Sequence, residues 1–187
     1  MSARAFALGV ALCAGASACS APSPGTFAAA ALPDEATFGP VAQLLDVRCG
    51  SLDCHGAVGR NLRLYGSAGL RLAPTDRPLA PPCDTPAEVV QDYASVVDLE
   101  PEVMSAVVAS GGADPERLTM VRKARGAEAH KGGAIWAAGD PSDTCLVSWL
   151  AGHADAGACQ QGMLDALPDS GPSVLLTCIM TDAGAPR

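Results

Sequence analysis

Aromatic side chains are scarce, at 4% of the 187 residues, and charged ones make up only 17%. Basic charge is the scarcer sign: 12 Lys and Arg stand against 20 Asp and Glu, for a net charge of -8 with only three His. No basic run exceeds "VRKAR" at Val121–Arg125. Phosphate backbones repel such a chain, which excludes nucleic acid as a partner. The apolar stretch near the N terminus is too short for a good transmembrane span. There is no internal repeat, no nucleophile elbow, no His-Glu-x-x-His and no paired-carboxylate motif, so an enzyme is not expected. Much of the 49% hydrophobic content is alanine. A core of small side chains stays thin unless a cofactor or disulfides supplement it.

The chain opens with Arg4 and the apolar "AFALGVALCAGASA", the pattern of a signal peptide over residues 1–19. "ASAC" at Ala16–Cys19 resembles a bacterial lipobox, which implies lipidation of Cys19 and attachment to a membrane surface without spanning it. Export to the periplasmic side or the outer membrane is the expectation. Residues 20–36 are rich in Pro, Ala and Ser and read as a tether. The fold is expected to start near Thr37. Six cysteines follow the signal segment: Cys49, Cys54, Cys83, Cys145, Cys159 and Cys178. An even number in an exported chain points to oxidised or ligated sulfur.

Phe38, Val41, Leu44 and Leu45 fall at helical spacing, and Pro40 is tolerated in a first turn, so a short helix should lead into Cys49. The glycine-punctuated segment after His55 and the Pro-rich "APTDRPLAPPCDTP" read as loops with at most a short hairpin. Thr85, Pro86 and Glu88 form a helix start with a capping box. Val89, Val90, Tyr93, Val96 and Val97 then give that helix one apolar face. Further helices are expected at Pro115–Ala124, with Leu118 and Val121 inward, and at Pro141–Leu150, capped by Asp140 or Ser142. "SVLLTCIM" at Ser173–Met180 is apolar enough to pack as a strand or short helix. The expectation is a mainly α domain with long loops, stapled by disulfides.

The chemistry-bearing stretch is "DVRCGSLDCHGAVGR", Asp46–Arg60. Cys-x-x-Cys-His is the spacing of covalent haem attachment. Here four residues separate Cys49 from Cys54, and His55 follows directly. Two thiols add across the porphyrin vinyl groups, and the adjacent histidine is placed to ligate the iron. The two extra residues must bulge outward, for which Gly50 and Ser51 offer backbone freedom. The same trio permits a Cys49–Cys54 disulfide with His55 as an ordinary polar residue, or zinc on Cys49, Cys54 and His55. An oxidising compartment and the lack of a second Cys-x-x-Cys pair weigh against zinc.

The order of further motifs extends this. "CHG" at Cys54–Gly56 is followed by "NLRL" at Asn61–Leu64 and "DYASVV" at Asp92–Val97. "VVASGGADPERLTMVRKARG" at Val107–Gly126, "HKGG" at His130–Gly133 and "DPSDTCLVSWLAG" at Asp140–Gly152 complete the series. In this order the chain resembles the small c-type cytochrome-like domains of bacterial exported proteins and lipoproteins, the planctomycete-type cytochrome c group. The resemblance runs from Phe38 to Gly152, within a domain at 37–152 followed by a disulfide-tied extension at 153–187. It implies a cytochrome c-like helical domain carrying haem c, with thioethers at Cys49 and Cys54 and His55 as proximal ligand. Many such domains place a Met-Pro at the distal position. None occurs here, and His130 aligns with a histidine-glycine-glycine variant of the distal loop. Met120 is the alternative distal ligand, in a place where the family carries an apolar helix residue. His153 follows the last helix and reads as solvated.

Cys83, Cys145, Cys159 and Cys178 remain as disulfide candidates in any of three pairings, for instance Cys83–Cys145 with Cys159–Cys178. Taken together, these features imply electron transfer with a redox protein partner in the envelope, and a lipid anchor on the membrane surface. The alternative is a haem-free, disulfide-stabilised envelope lipoprotein with a binding or structural role.

Overall fold

The computed structural model describes residues 30–167. The signal segment with Cys19, most of the tether, "SVLLTCIM" and Cys178 lie outside the described residues. Among the described residues six helices form: α1 Gly39–Cys49, α2 Pro86–Val97, α3 Pro101–Ala109, α4 Thr119–Ala124, α5 Pro141–Leu150 and α6 Ala156–Leu164. Short 3-10 turns occupy Glu35–Thr37 and Pro115–Arg117. Among the described residues there is no strand, only three isolated bridges. The expected mainly α, loop-rich, disulfide-stapled architecture is present.

Phe38 and the α1 residues Val41, Leu44 and Leu45 are buried, as their spacing requires. They meet Leu146, Trp149 and Leu150 of α5, which are buried as well. The few aromatics are concentrated: Phe38 lies 4.8 Å from Trp149 and 5.6 Å from Tyr93 between ring centroids, and Tyr93 lies 6.1 Å from Trp149. Their polar atoms reach back to the preceding segment. The Tyr93 hydroxyl donates to the Pro33 carbonyl at 2.8 Å and Trp149 Nε1 to the Asp34 carbonyl at 2.9 Å. Packed chain therefore begins several residues ahead of Thr37.

The α2 start is built as expected: the Thr85 hydroxyl accepts from the Glu88 amide while the Glu88 carboxylate accepts from the Thr85 amide. Its inward face differs from the apolar stripe expected. Val90 is 49% exposed, whereas Glu88 and Asp92 are fully buried. They share a stripe with Val96 at i, i+4 and i+8, so the pleated loops that cover α2 supply donors to carboxylates. Arg71 donates to both Glu88 oxygens at 2.9 Å, and the Leu72 amide donates at 3.0 Å. Arg71 also donates to the Pro81 and Cys83 carbonyls, sewing the Pro-rich loop to the α2 N terminus.

The helix expected over Pro115–Ala124 breaks at Leu118, which is extended at φ -77 and ψ 129. The reason is a cap from elsewhere in the chain: Glu100 accepts from the Thr119 amide at 2.6 Å and the Thr119 hydroxyl at 2.8 Å. Asp140, rather than Ser142, caps α5 by accepting from the Asp143 amide. Helix α6 was not expected, and it joins the core through Cys159 and Met163. A Cys145–Cys159 disulfide spans 14 residues and ties α5 to α6. This excludes Cys83–Cys145 and Cys159–Cys178; Cys83 is disulfide-bonded too. The first part of the 153–187 extension is thus a packed helix and not a separate lasso.

Three carboxyls meet behind the end of α1. Burial raises Asp46 despite the Ala68 amide, the neighbouring Asp84 carboxyl, the Ser67 hydroxyl and the Arg71 charge, which lower it. Burial and then the Asp46 charge lift Asp84 well above the ordinary range. Burial pushes Asp92 up to about 8, against the Tyr65 amide, with the Asp46 and Glu88 charges adding to it. Glu88 differs: burial would raise it, but the Thr85 and Leu72 amides and Arg71 outweigh that and hold it low.

Two predictions follow from these contacts. Replacing Cys145 and Cys159 together by Ala should lower unfolding stability by about 3 kcal/mol, the chain-entropy effect of a loop this size. The check is the urea midpoint, and an unchanged midpoint contradicts the staple. For pH the sign is as follows. Carboxyls with raised folded pKa bind more protons in the folded state, so stability is present at low pH and is lost as pH rises towards about 8, the Asp92 value. Glu88, being lowered, contributes above its ordinary 4.5 and loses that contribution on acidification. Stability should therefore peak in mild acid and fall across neutrality. Asp92→Asn keeps the Tyr65 contact and should flatten that fall in urea titrations at a series of pH values.

Candidate functional site

The carboxyls fix how the loop after α1 turns. Gly50 follows α1 at an ordinary φ of -80. Glycine is needed there for space, not for unusual angles: a Cβ would meet Asp46 Oδ1 at 2.4 Å. The four residues between the cysteines curl into a turn. The Cys54 and Gly56 amides donate to the Ser51 carbonyl, and the His55 amide donates to the Cys49 carbonyl at 2.9 Å. Gly56 packs directly on this turn, since a Cβ at that position would meet the Gly50 carbonyl oxygen at 1.7 Å. The small residue after His55 is thus a steric requirement of the longer spacing.

His55 is oriented by one hydrogen bond, Nδ1 to the Leu62 carbonyl at 2.9 Å. A carbonyl oxygen only accepts, so Nδ1 carries the proton and donates. In the neutral ring this leaves the lone pair on Nε2, the tautomer in which a histidine serves as a metal ligand.

His55 lines a cavity of about 470 Å³ whose walls include Leu45, Leu62, Met120, Ala124 and Trp136. Cys49 and His130 line the same cavity. A second depression of about 210 Å³ shares Cys49, His55 and His130 with it and adds Cys54. The larger volume falls within the roughly 300–1,000 Å³ of small-molecule and cofactor sites. The structure therefore brings Cys49, His55 and His130 to both depressions, and Cys54 to the smaller one. Met120 is half-buried and lines the larger one only. His153 is exposed and lies outside both.

His130 sits in a loop anchored on the end of α4, where the Ile135 and Trp136 amides both donate to the Ala124 carbonyl. Two cations stitch this loop to the Cys49–His55 turn. Lys131 Nζ donates to the Asp53 carbonyl at 3.1 Å, and the Arg48 guanidinium donates to the Ile135 carbonyl at 2.6 Å. Arg48 also stands over the Trp136 ring at 6.0 Å. Three buried polar atoms here have no hydrogen-bond partner: Arg48 Nε, His130 Nδ1 and Trp136 Nε1. Buried polar nitrogens left unpaired are costly and point to a missing partner.

Cys49 and Cys54 are both free thiols, so the disulfide reading of this pair is not realised. Burial pushes the Cys49 thiol up to about 12, with Arg48 opposing, so it stays protonated. Among the described residues no three His, Cys, Asp or Glu side chains converge closely enough to hold a metal ion. A three-ligand zinc arrangement on Cys49, Cys54 and His55 is not assembled.

Arg48, Trp136 and Lys131 were not singled out from the sequence as site residues. The available signal was slight: "HKGGAIW" places one of only two tryptophans six residues after His130. Comparison of the chain with protein-family models, curated proteins and solved structures yields no match to any of them.

Proposed function

We propose that this chain is an exported, lipid-anchored, c-type cytochrome-like protein that carries electrons within the cell envelope. The observation that supports this reading best is the gathering of Cys49, His55 and the sequence-distant His130 on a largely apolar cavity, with Cys54 beside them on the smaller adjoining depression. The residues fit a covalently held haem. Two free thiols lie on one wall. The Leu62 carbonyl engages His55 through Nδ1, which directs Nε2 to the ligating role, and His130 carries a ring nitrogen that lacks a partner.

When bound, haem supplies one-electron exchange at iron. The chain's own residues would do the rest. Each thiol adds its S–H across a vinyl C=C, sulfur bonding to one carbon and hydrogen to the other, so no oxidant is needed. His55 provides the proximal nitrogen and the Leu62 carbonyl keeps its ring in register. His130 provides the distal one. Leu45, Leu62, Met120 and Trp136 keep water away, which raises the electrostatic influence of the ligands on the potential. With His55 and His130 both holding the group, no substrate chemistry there would be implied. The lipid at Cys19 would hold the domain at a membrane surface, where an envelope redox protein is the partner.

The test is expression in a host that matures c-type cytochromes. The purified protein should show a Soret band and a sharp reduced alpha band, and it should stain for haem after denaturing electrophoresis. His55→Ala should abolish the normal spectrum. His130→Ala should change the ligand-sensitive bands, while Met120→Ala leaves them in place. A colourless protein with intact Cys49 and Cys54 overturns the proposal in favour of a haem-free envelope lipoprotein. A changed spectrum in Met120→Ala and none in His130→Ala transfers the distal role to Met120.

A further inference from the structure

A second hollow of about 490 Å³ opens beside the first, between the loop after His55 and the outer face of α2. Arg60 and Asn61 from the loop line both hollows. Arg63 and Tyr65 add polar groups from the loop, and Gln91 and Ser95 add them from α2.

The two guanidinium groups are held in place without being neutralised. Arg60 donates only to backbone, to the Cys54 carbonyl at 2.9 Å and the Asp53 carbonyl at 3.1 Å. Arg63 donates to the Tyr65 hydroxyl at 3.2 Å, and its backbone amide donates to Ser95 Oγ at 2.9 Å. Its Nε is buried and has no hydrogen-bond partner. Among the described residues neither arginine has a carboxylate within ion-pair distance. This occurs in a chain with 20 Asp and Glu against 12 Lys and Arg. The one acid on the hollow is Asp98, an exposed residue at its edge. A planar N–H fork matches a carboxylate in a way a lysine ammonium does not, and a buried unpaired Nε–H lacks the acceptor such a group supplies.

We infer that this hollow is a carboxylate-binding site in which Arg60 and Arg63 take a small carboxylate anion. The carboxylate has two sources. One is a free ligand. The other, which rests on the function proposed above, is the pair of propionate groups on a haem in the adjoining cavity.

The test uses the full exported chain, purified haem-free from a host without the maturation machinery, with citrate as the probe. Arginine Nε–H resonances are followed by NMR at constant ionic strength. Citrate should shift the Arg60 and Arg63 signals saturably, where equivalent chloride does not. Arg63→Gln should weaken citrate binding about tenfold or more, the effect of removing one charge-assisted contact. Arg60 is exposed, so Arg60→Gln serves as the variant that leaves folding intact and should do the same. The haem-loaded, reduced protein separates the sources: a citrate response that persists there assigns a free ligand, and one that vanishes assigns the propionates. No saturable shift in the haem-free chain, or full binding in both variants, overturns the site. If the chain never takes up haem, the haem-free titration still decides this inference, so the two failures are distinct.

Discussion

Asp46 sits in the last turn of α1, almost wholly buried, with its carboxylate turned towards the loops that follow. Ser67 Oγ donates to it at 2.9 Å and the Ala68 amide at 3.0 Å. Asp84 accepts from the Ser67 amide at 3.0 Å, and burial together with the Asp46 charge lifts its carboxyl well above the ordinary range. Gly50 and Gly66 leave room for it, since a Cβ at either would come to 2.4 Å. Three separate stretches of irregular chain thus close on one side chain. A buried carboxylate without donors is costly, and the Ser67 and Ala68 donors offset that for Asp46. The turn that carries Cys49, Cys54 and His55 grows from this point, so the geometry of the candidate site is inherited from it.

The rest of the fold compensates for a shortage of large apolar side chains. Phe38, Tyr93 and Trp149 cluster where α1, α2 and α5 meet, concentrating the aromatic area in one place. Where apolar area runs out, polar contacts take over. The Arg71–Glu88 pair is buried and bidentate, and each partner is further hydrogen-bonded to backbone. Such a pair contributes little net stability but strongly fixes the loop it crosses, because losing either partner strands the other charge. The Cys145–Cys159 staple does comparable work at the other end.

Much of this was legible where local chemistry decides. Thr85 and Glu88 announce the α2 start, Asp140 and Pro141 the α5 start, and the Phe38–Leu45 spacing predicts α1. What stayed hidden depends on distant partners. Leu118 leaves the helix because Glu100 caps Thr119. Helix α3 carries Pro101 in its first turn but has no side-chain cap, because the Glu100 carboxylate at its start is spent on Thr119. Helix α6 does follow Asp155, yet its Gly/Ala-rich sequence has no apolar stripe, and it is held by the disulfide and by α1 and α5. The motif residues themselves were readable, because Cys49, Cys54 and His55 are adjacent. That His130 joins them, with Arg48 and Lys131 stitching the two loops together, is a tertiary fact. Gly50 shows the difference well: its need is room for Asp46, which no local rule reveals.

The central claim is that Cys49 and Cys54 hold a haem with His55 beside them. Trypsin cuts after Arg48 and Arg60, releasing one peptide that carries both cysteines and the histidine. Mass spectrometry of that peptide, from protein made in a host that matures c-type cytochromes, is the most direct measurement. The account predicts the peptide mass plus one haem, with neither thiol open to alkylation. An unmodified peptide, with both thiols alkylated or joined to each other, contradicts it.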